Sequence, residues 1–447
     1  MEENSIHVEN KYVFNGHLFV EFVDPSKIRE EASEIIESIP DLNGKESFAK
    51  YYEKMIKNNP KNRQQLNNIF FENIMYSQLK NIFIDKFSIE SNSLRVTDFK
   101  QMVKEILKEF NIKNEERIHR DILSLMSEDG FNLMDMLHVT RIGTNFISGY
   151  DFTSNNDKVQ TARFLFVQVV PKGSKVGYFI AGIDINFVNG TCLTMIKNVS
   201  DIKEFEDIVE NDEEDEANGE YAKSISRLYS IVNNLIIKRL IVKEKIKVET
   251  DREGMYHLCT KLERDLLGSI RDEVSAVTDT IVNDSLKKIL QELFPKDNFF
   301  IKSETRSLSK QVHSLLISTY IKRNYKTKDL IKRAKELNQV GYPTRIKFVS
   351  NKSNRGSAQS GGSKVPVAAT DLFHSLYTEF QSAISLELWS ISWFLDIGNT
   401  SPEDCKVSQT TIYAKPTSFR VVFKQRKPIN KEFINHVVGT LNQYRGE

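Results

Sequence analysis

Few side chains in this sequence combine the type and the spacing that chemistry needs. Asp184 lies between Ile183 and Ile185 in an apolar strand pattern, so its carboxylate points to the opposite face. On a buried face that charge must be paired. A metal-dependent nuclease would gather several carboxylates around a sheet, and Asp184 is the best single candidate. His257-x-Cys259 places two ligand types on a helix, but no second pair follows at usable spacing, and packing accounts for them better. Cys-x-x-Cys, His-Glu-x-x-His and Gly-x-Ser-x-Gly are absent, which leaves a zinc site or a hydrolase elbow without support. Gly356–Lys364 echoes a phosphate-binding loop. Its lysine, however, does not follow the second glycine directly, and Val365 stands where Ser or Thr is required. The sequence thus predicts no catalytic motif, no metal and no cofactor.

The stronger signal is charge. Between Lys302 and Lys364 there are fifteen Lys/Arg and only three acids, Glu304, Asp329 and Glu336, while the whole chain is +1. Such an excess suits phosphate, because each neutralised phosphate releases counterions. The candidate nucleic-acid contacts are Lys322, Arg323, Lys326, Lys328, Lys332, Arg333, Lys335, Arg345, Lys347, Lys352 and Arg355. Tyr320, Tyr325 and Tyr342 lie among them and are the right type to stack on bases.

These residues need elements to hold them. Leu308, Val312, Leu315 and Leu316 predict an amphipathic helix over 304–322. Thr327 is placed to cap a second helix over 328–338, with Leu330, Ile331, Ala334 and Leu337 as its buried stripe. That stripe is expected to turn Lys332, Arg333 and Lys335 outward. A strand over 344–350, a Ser/Gly-rich basic loop over 351–363 and an edge strand at Val365–Val367 complete the element order of a winged helix-turn-helix.

Elsewhere, Tyr12–Val20 carries an Asn-Gly hairpin signal, and Asp24-Pro25 opens a helix. Helices are expected at 45–58, 62–79 and 98–110, the last with Phe99, Met102, Val103, Ile106, Leu107 and Phe110 on one face. Arg163–Val170 is apolar on both faces, as in a covered central strand; Val176–Phe187 and Thr191–Ile196 follow it as hairpin partners. Asp201–Glu220 holds eleven acids and reads as a mobile loop. A long helix with Ile270, Val274, Val277, Ile281 and Leu290 ends at Pro295. Toward the C-terminus, helix 371–383, three strands and helix 431–444 form a last unit, with Trp389 and Trp393 in its core.

The fold class is therefore α+β and multidomain. The segments are an α+β domain over 1–205 with an antiparallel sheet and packed helices, an acidic loop over 206–220, a mainly helical basic domain over 221–350, a basic loop over 351–366 and a small α+β unit over 367–447. Three scattered cysteines, no apolar run of eighteen residues and an acidic N-terminus without a leader pattern predict a cytoplasmic protein with no membrane association. The expected function is nucleic-acid association through the phosphate backbone, weakly sequence-specific. Two other classes stay open: a metal-dependent nuclease built from distant carboxylates, and an assembly subunit that docks an acidic protein or self-associates.

Overall fold

The computed structural model describes residues 22–34, 63–118, 120–132, 139, 141–197, 221–296, 298–350, 355–396, 398–403 and 405–446. The expected Tyr12–Val20 hairpin, the 45–58 helix, the acidic 201–220 segment and Lys352 lie outside these residues. The chain forms two compact units, one of residues 1–244 with 428–431 and the other of 245–427 with 432–447. Both combine helices with antiparallel strands.

In the first unit, α1 (Pro25–Ser33) starts as expected, because the Asp24 side chain accepts the Ser26 N–H. Next come α2 (Arg63–Ser77), β1 (Asn81–Lys86), α3 (Val96–Asn114) and the short α4 (Arg120–Leu123). The expected face of α3 is buried at Phe99, Val103, Ile106, Leu107 and Phe110, although its N-cap is Arg95. The strands are β2 (Phe131–Asn132), β3 (Asn145–Asn155), β4 (Lys158–Lys172), β5 (Lys175–Asn186) and β6 (Thr191–Ile196). They pair antiparallel in the order β2-β3-β4-β5-β6-β1. β4 has a neighbour on each side, and residues 164–170 are buried throughout, which is why this strand tolerates no polar alternation beyond Gln168. Gln168 is satisfied: its amide donates to Asn145 and its carbonyl accepts the Ala222 N–H. β3 carries no strand pattern in the sequence, because its second half is polar and exposed. It joins β4 through Asn156 and Asp157, both at positive φ (49° and 60°), which matches the twist of a two-residue hairpin turn. α5 (Ile225–Val232) runs on through a π-helical turn at Asn233–Ile237.

The second unit begins with α6 (Val248–Leu293), 46 residues and so about 70 Å long. Met255, Leu258, Leu262, Leu266, Ile270 and Val274 bury its first half. Past Val274 only Leu290 is buried; Val277 and Ile281, expected in the stripe, are exposed. α7 (Asn298–Asn324) returns against it, and α8 (Thr327–Glu336) follows. α8 starts at Thr327 with Asp329 accepting the Lys326 N–H, so Thr327 is the first helical residue and not the cap. The strands are β7 (Gly341–Ser350) and β8 (Arg355–Gln359), then, after the short helices α9 (Asp371–Ser375) and α10 (Tyr377–Ser382), β9 (Ala383–Phe394), β10 (Val407–Lys415) and β11 (Ser418–Phe423). Helix α11 (Lys431–Asn442) closes the unit.

The sheet order here is β11-β10-β9-β7-β8, all antiparallel. β7 lies between β8 and β9, so the strand after the basic helices shares a sheet with the C-terminal strands. The edge strand expected at Val365–Val367 is instead a single 3₁₀ turn over Val367–Ala369 after Pro366, which has no N–H to give a ladder. Trp389 and Trp393 are fully buried, as expected, and the Trp393 indole donates to Thr410 Oγ1 at 2.7 Å. Two close approaches fix α6 against the C-terminus. A Cβ on Gly254 would stand 1.8 Å from the Tyr444 carbonyl oxygen, and the buried Arg445 guanidinium bonds Asp251 at 2.8 Å. No helix among the described residues is long and apolar enough to cross a membrane.

Candidate functional site

The basic residues do not share one environment. Arg323, Lys326, Lys328 and Lys332, on the end of α7, the turn and the outer face of α8, have exposed side chains that make no ion pair or hydrogen bond among the described residues. The stripe Leu330, Ile331 and Ala334 is buried and turns Lys328 and Lys332 to solvent by helical geometry. Leu337 is left exposed just beyond the helix end.

Other candidates are spent on structure. Lys322 is bonded to Asp371, which holds that carboxyl below its usual range. Arg333 donates to the Leu266 carbonyl at 3.1 Å and to Ser269 Oγ at 2.5 Å, tying α8 to α6. Lys335 is 2 % exposed, with its ammonium 3.8 Å from Asp396 and 5.5 Å from the Phe394 ring centroid. The expected outward set therefore reduces to Lys332. The cause is the width of the buried stripe: Lys335 follows Ala334 at the end where α8 meets β7, so its alkyl stem is covered too. Arg345 is half-buried on β7. Lys347 pairs with Glu387 at 2.9 Å, and Arg355 lies 3.8 Å from the same carboxylate. Burial acts to raise the Glu387 carboxyl, but the Lys347 hydrogen bond and the two cations outweigh it and hold it below the ordinary range.

The stacking candidates divide in the same way. Tyr342 is fully buried and donates to the Ser363 carbonyl at 2.9 Å, so it is not a surface platform. Tyr320 donates to Glu273, and its ring centroid lies 6.5 Å from that of Tyr325.

The glycine-rich stretch is held by its neighbours. A Cβ on Gly356 would meet the Phe348 ring at 2.4 Å, which is a packing reason for that glycine. Ser360 donates to the Thr344 carbonyl, and Ser392 to that of Ser363, so the part after Arg355 is anchored to β7 and β9.

The carboxylate candidates are paired. Tyr76 donates to Asp184 at 2.5 Å, and burial pushes the Asp184 carboxyl up against the Tyr76 hydrogen bond that lowers it. Its cross-strand neighbour Arg163 is committed to Asp151 and Glu72. Asp85 accepts from Lys243 at 2.6 Å and from Tyr229 at 2.9 Å. His257 is exposed while Cys259 is buried, so the two do not converge. No group of three or more His, Cys, Asp or Glu side chains is placed to hold a metal ion among the described residues.

A basic cleft brings together cations from two helices. It opens between α6 and α7 with a volume of about 750 Å³. Lys302, Arg306 and Lys310 of α7 line one wall and Lys287 of α6 the other. All four are exposed and without an ion pair among the described residues. The spacing of the α7 trio at i, i+4 and i+8 was readable in sequence. Lys287 was not, because only the packing register of the two helices brings it there. Like charges at i,i+4 cost an isolated helix roughly 0.2–0.5 kcal/mol per pair, and no acid stands three or four residues from the trio to relieve it. Among the described residues Asp279 is the one carboxylate of the cleft, and it faces His313. His313 Nδ1 donates to the Ser309 carbonyl at 2.8 Å, and its Nε2 lies 2.9 Å from Asp279 but off the hydrogen-bond axis.

No family model, no curated protein and no solved structure matches this chain.

Proposed function

We propose that this protein binds nucleic acid through the phosphate backbone, with little sequence preference, at the turn from α7 to α8. The observation that supports this reading is the set Arg323, Lys326, Lys328 and Lys332: exposed, unpaired among the described residues, and grouped on one helix end, one turn and one outer helix face. Cations already bound to carboxylates have less to gain from phosphate. These four release counterions when they meet it. Lysine acts as a point charge and reads no base edge, which accounts for the weak sequence preference. The order helix, turn, helix, strand over 298–350 is the one expected for the start of a winged helix-turn-helix module, in which the second helix faces the duplex; β8 at Arg355–Gln359 lies where the basic loop was expected.

The test is binding of the full chain to unrelated duplexes and single strands at several salt concentrations. Changing Arg323, Lys326, Lys328 and Lys332 together to Ala should flatten the log K against log[salt] slope by about 2–3 on every duplex alike. Absence of wild-type binding at low salt refutes the reading. An unchanged slope in the variant refutes the assignment to this turn.

A further inference from the structure

The cleft between α6 and α7 shares no residue with the turn from α7 to α8 and has a different chemistry. Among the described residues its walls carry hydroxyl, amide and cationic groups, the Asp279 carboxylate and the His313 imidazole, with Ile301 the one aliphatic residue. Charged oxygens would find donors on both sides. At about 750 Å³ the space is of the size that holds a small molecule.

Charge and spacing narrow the ligand further. Four cations face one carboxylate, and that carboxylate already has His313 beside it. With a rise of 1.5 Å per residue, Lys302 to Lys310 spans about 12 Å along α7. A single phosphate cannot touch both ends of that row. A ligand with several phosphates can, using the fork of Arg306 at the centre and the ammonium groups around it. The unrelieved repulsion within the trio is the local cost that such a ligand would remove.

We propose that the α6–α7 cleft is a binding site for a small, multiply phosphorylated anion, held by Lys302, Arg306 and Lys310 on one wall and Lys287 on the other. The proposal does not depend on nucleic-acid binding at α8. Two sources share this chemistry, a linear polyphosphate and a phosphorylated ring.

Calorimetric titration of the full chain at low salt with tripolyphosphate, inositol hexakisphosphate and orthophosphate tests it. At least one of the first two should saturate at one ligand per chain, and which of them binds more tightly tells chain from ring. Orthophosphate should bind roughly a hundredfold more weakly, since one phosphate reaches one part of the row. Arg306→Ala should weaken the preferred ligand by about tenfold, Arg306→Lys by less, and Lys108→Ala on α3 not at all, while Lys326→Ala with Lys332→Ala should leave most of the affinity in place. Circular dichroism checks that the helices persist; if Arg306→Ala fails to fold, the exposed Lys302→Gln gives the same reading. The proposal falls if neither polyphosphate saturates, if orthophosphate binds as tightly, if Arg306→Ala or Lys302→Gln leaves affinity unchanged, or if the α8 changes abolish binding.

Discussion

His374 shows what burial does to one titratable side chain. It is buried in the second unit, where Nε2 donates to the Ala368 carbonyl at 2.9 Å. Burial lowers its pKa from 6.5 to about 4, and nearby Arg271 acts in the same direction. The folded protein therefore holds a neutral ring where the unfolded chain would be protonated. With the folded value depressed, the stability contribution is complete above pH 6.5 and is lost as pH falls toward about 4. The shift corresponds to roughly 3 kcal/mol at most. Urea midpoints measured across this range should fall in the wild type, and His374→Gln should flatten that part of the profile. An equally steep profile in the variant would assign the acid sensitivity to other groups. Lysines make the same point: Lys332 and Lys335 are three residues apart, yet one is in solvent and the other is buried beside Asp396.

At the scale of elements, β4 is the strand the first unit depends on. Phe166 is fully buried between its two neighbouring strands and meets Phe110 of α3 at 6.0 Å between ring centroids. Phe166→Ala should destabilise the unit by about 3–5 kcal/mol, because removal of the ring leaves a cavity that a sheet paired on both sides cannot collapse to fill. Chemical denaturation gives that number, and a loss under about 1 kcal/mol would contradict interior placement. α6 behaves differently along its length. Its first half is buried through an apolar stripe, while its second half keeps Val277 and Ile281 in water, so the same periodicity serves two environments.

At the scale of the whole molecule, the chain does not divide into simple consecutive pieces. Residues 428–431 belong to the first unit, and 432–447 return to the second. α11 supplies Phe433, Ile434, Val437, Val438 and Leu441 to the interior, and Arg445 beyond it neutralises the buried Asp251. Truncation after Lys427 should therefore unfold or loosen the second unit although it removes no strand. Removing one partner of a buried ion pair alone typically costs about 3–5 kcal/mol. Near-ultraviolet circular dichroism of Trp389 and Trp393 reports the outcome, since both are in that unit's core. An unchanged tryptophan signal and melting curve would show that α11 is dispensable.

Periodicity in the sequence determined the apolar face of α3, the central strand β4, the burial of both tryptophans and the α+β class, because in each case one local repeat decides which side meets the core. The strand β3 was illegible, since its second half is polar and exposed and its identity comes from pairing with β4. The basic stretch was legible as charge and illegible as a surface. Composition fixes how many cations there are. Only tertiary packing decided that Arg333, Lys335 and Lys347 serve the fold, that Arg323, Lys326, Lys328 and Lys332 remain free, and that Lys287 crosses from α6 to face Lys302, Arg306 and Lys310. The physical reason is that a cation's availability depends on which carboxylates, carbonyls and neighbouring helices surround it, and those come from distant parts of the chain.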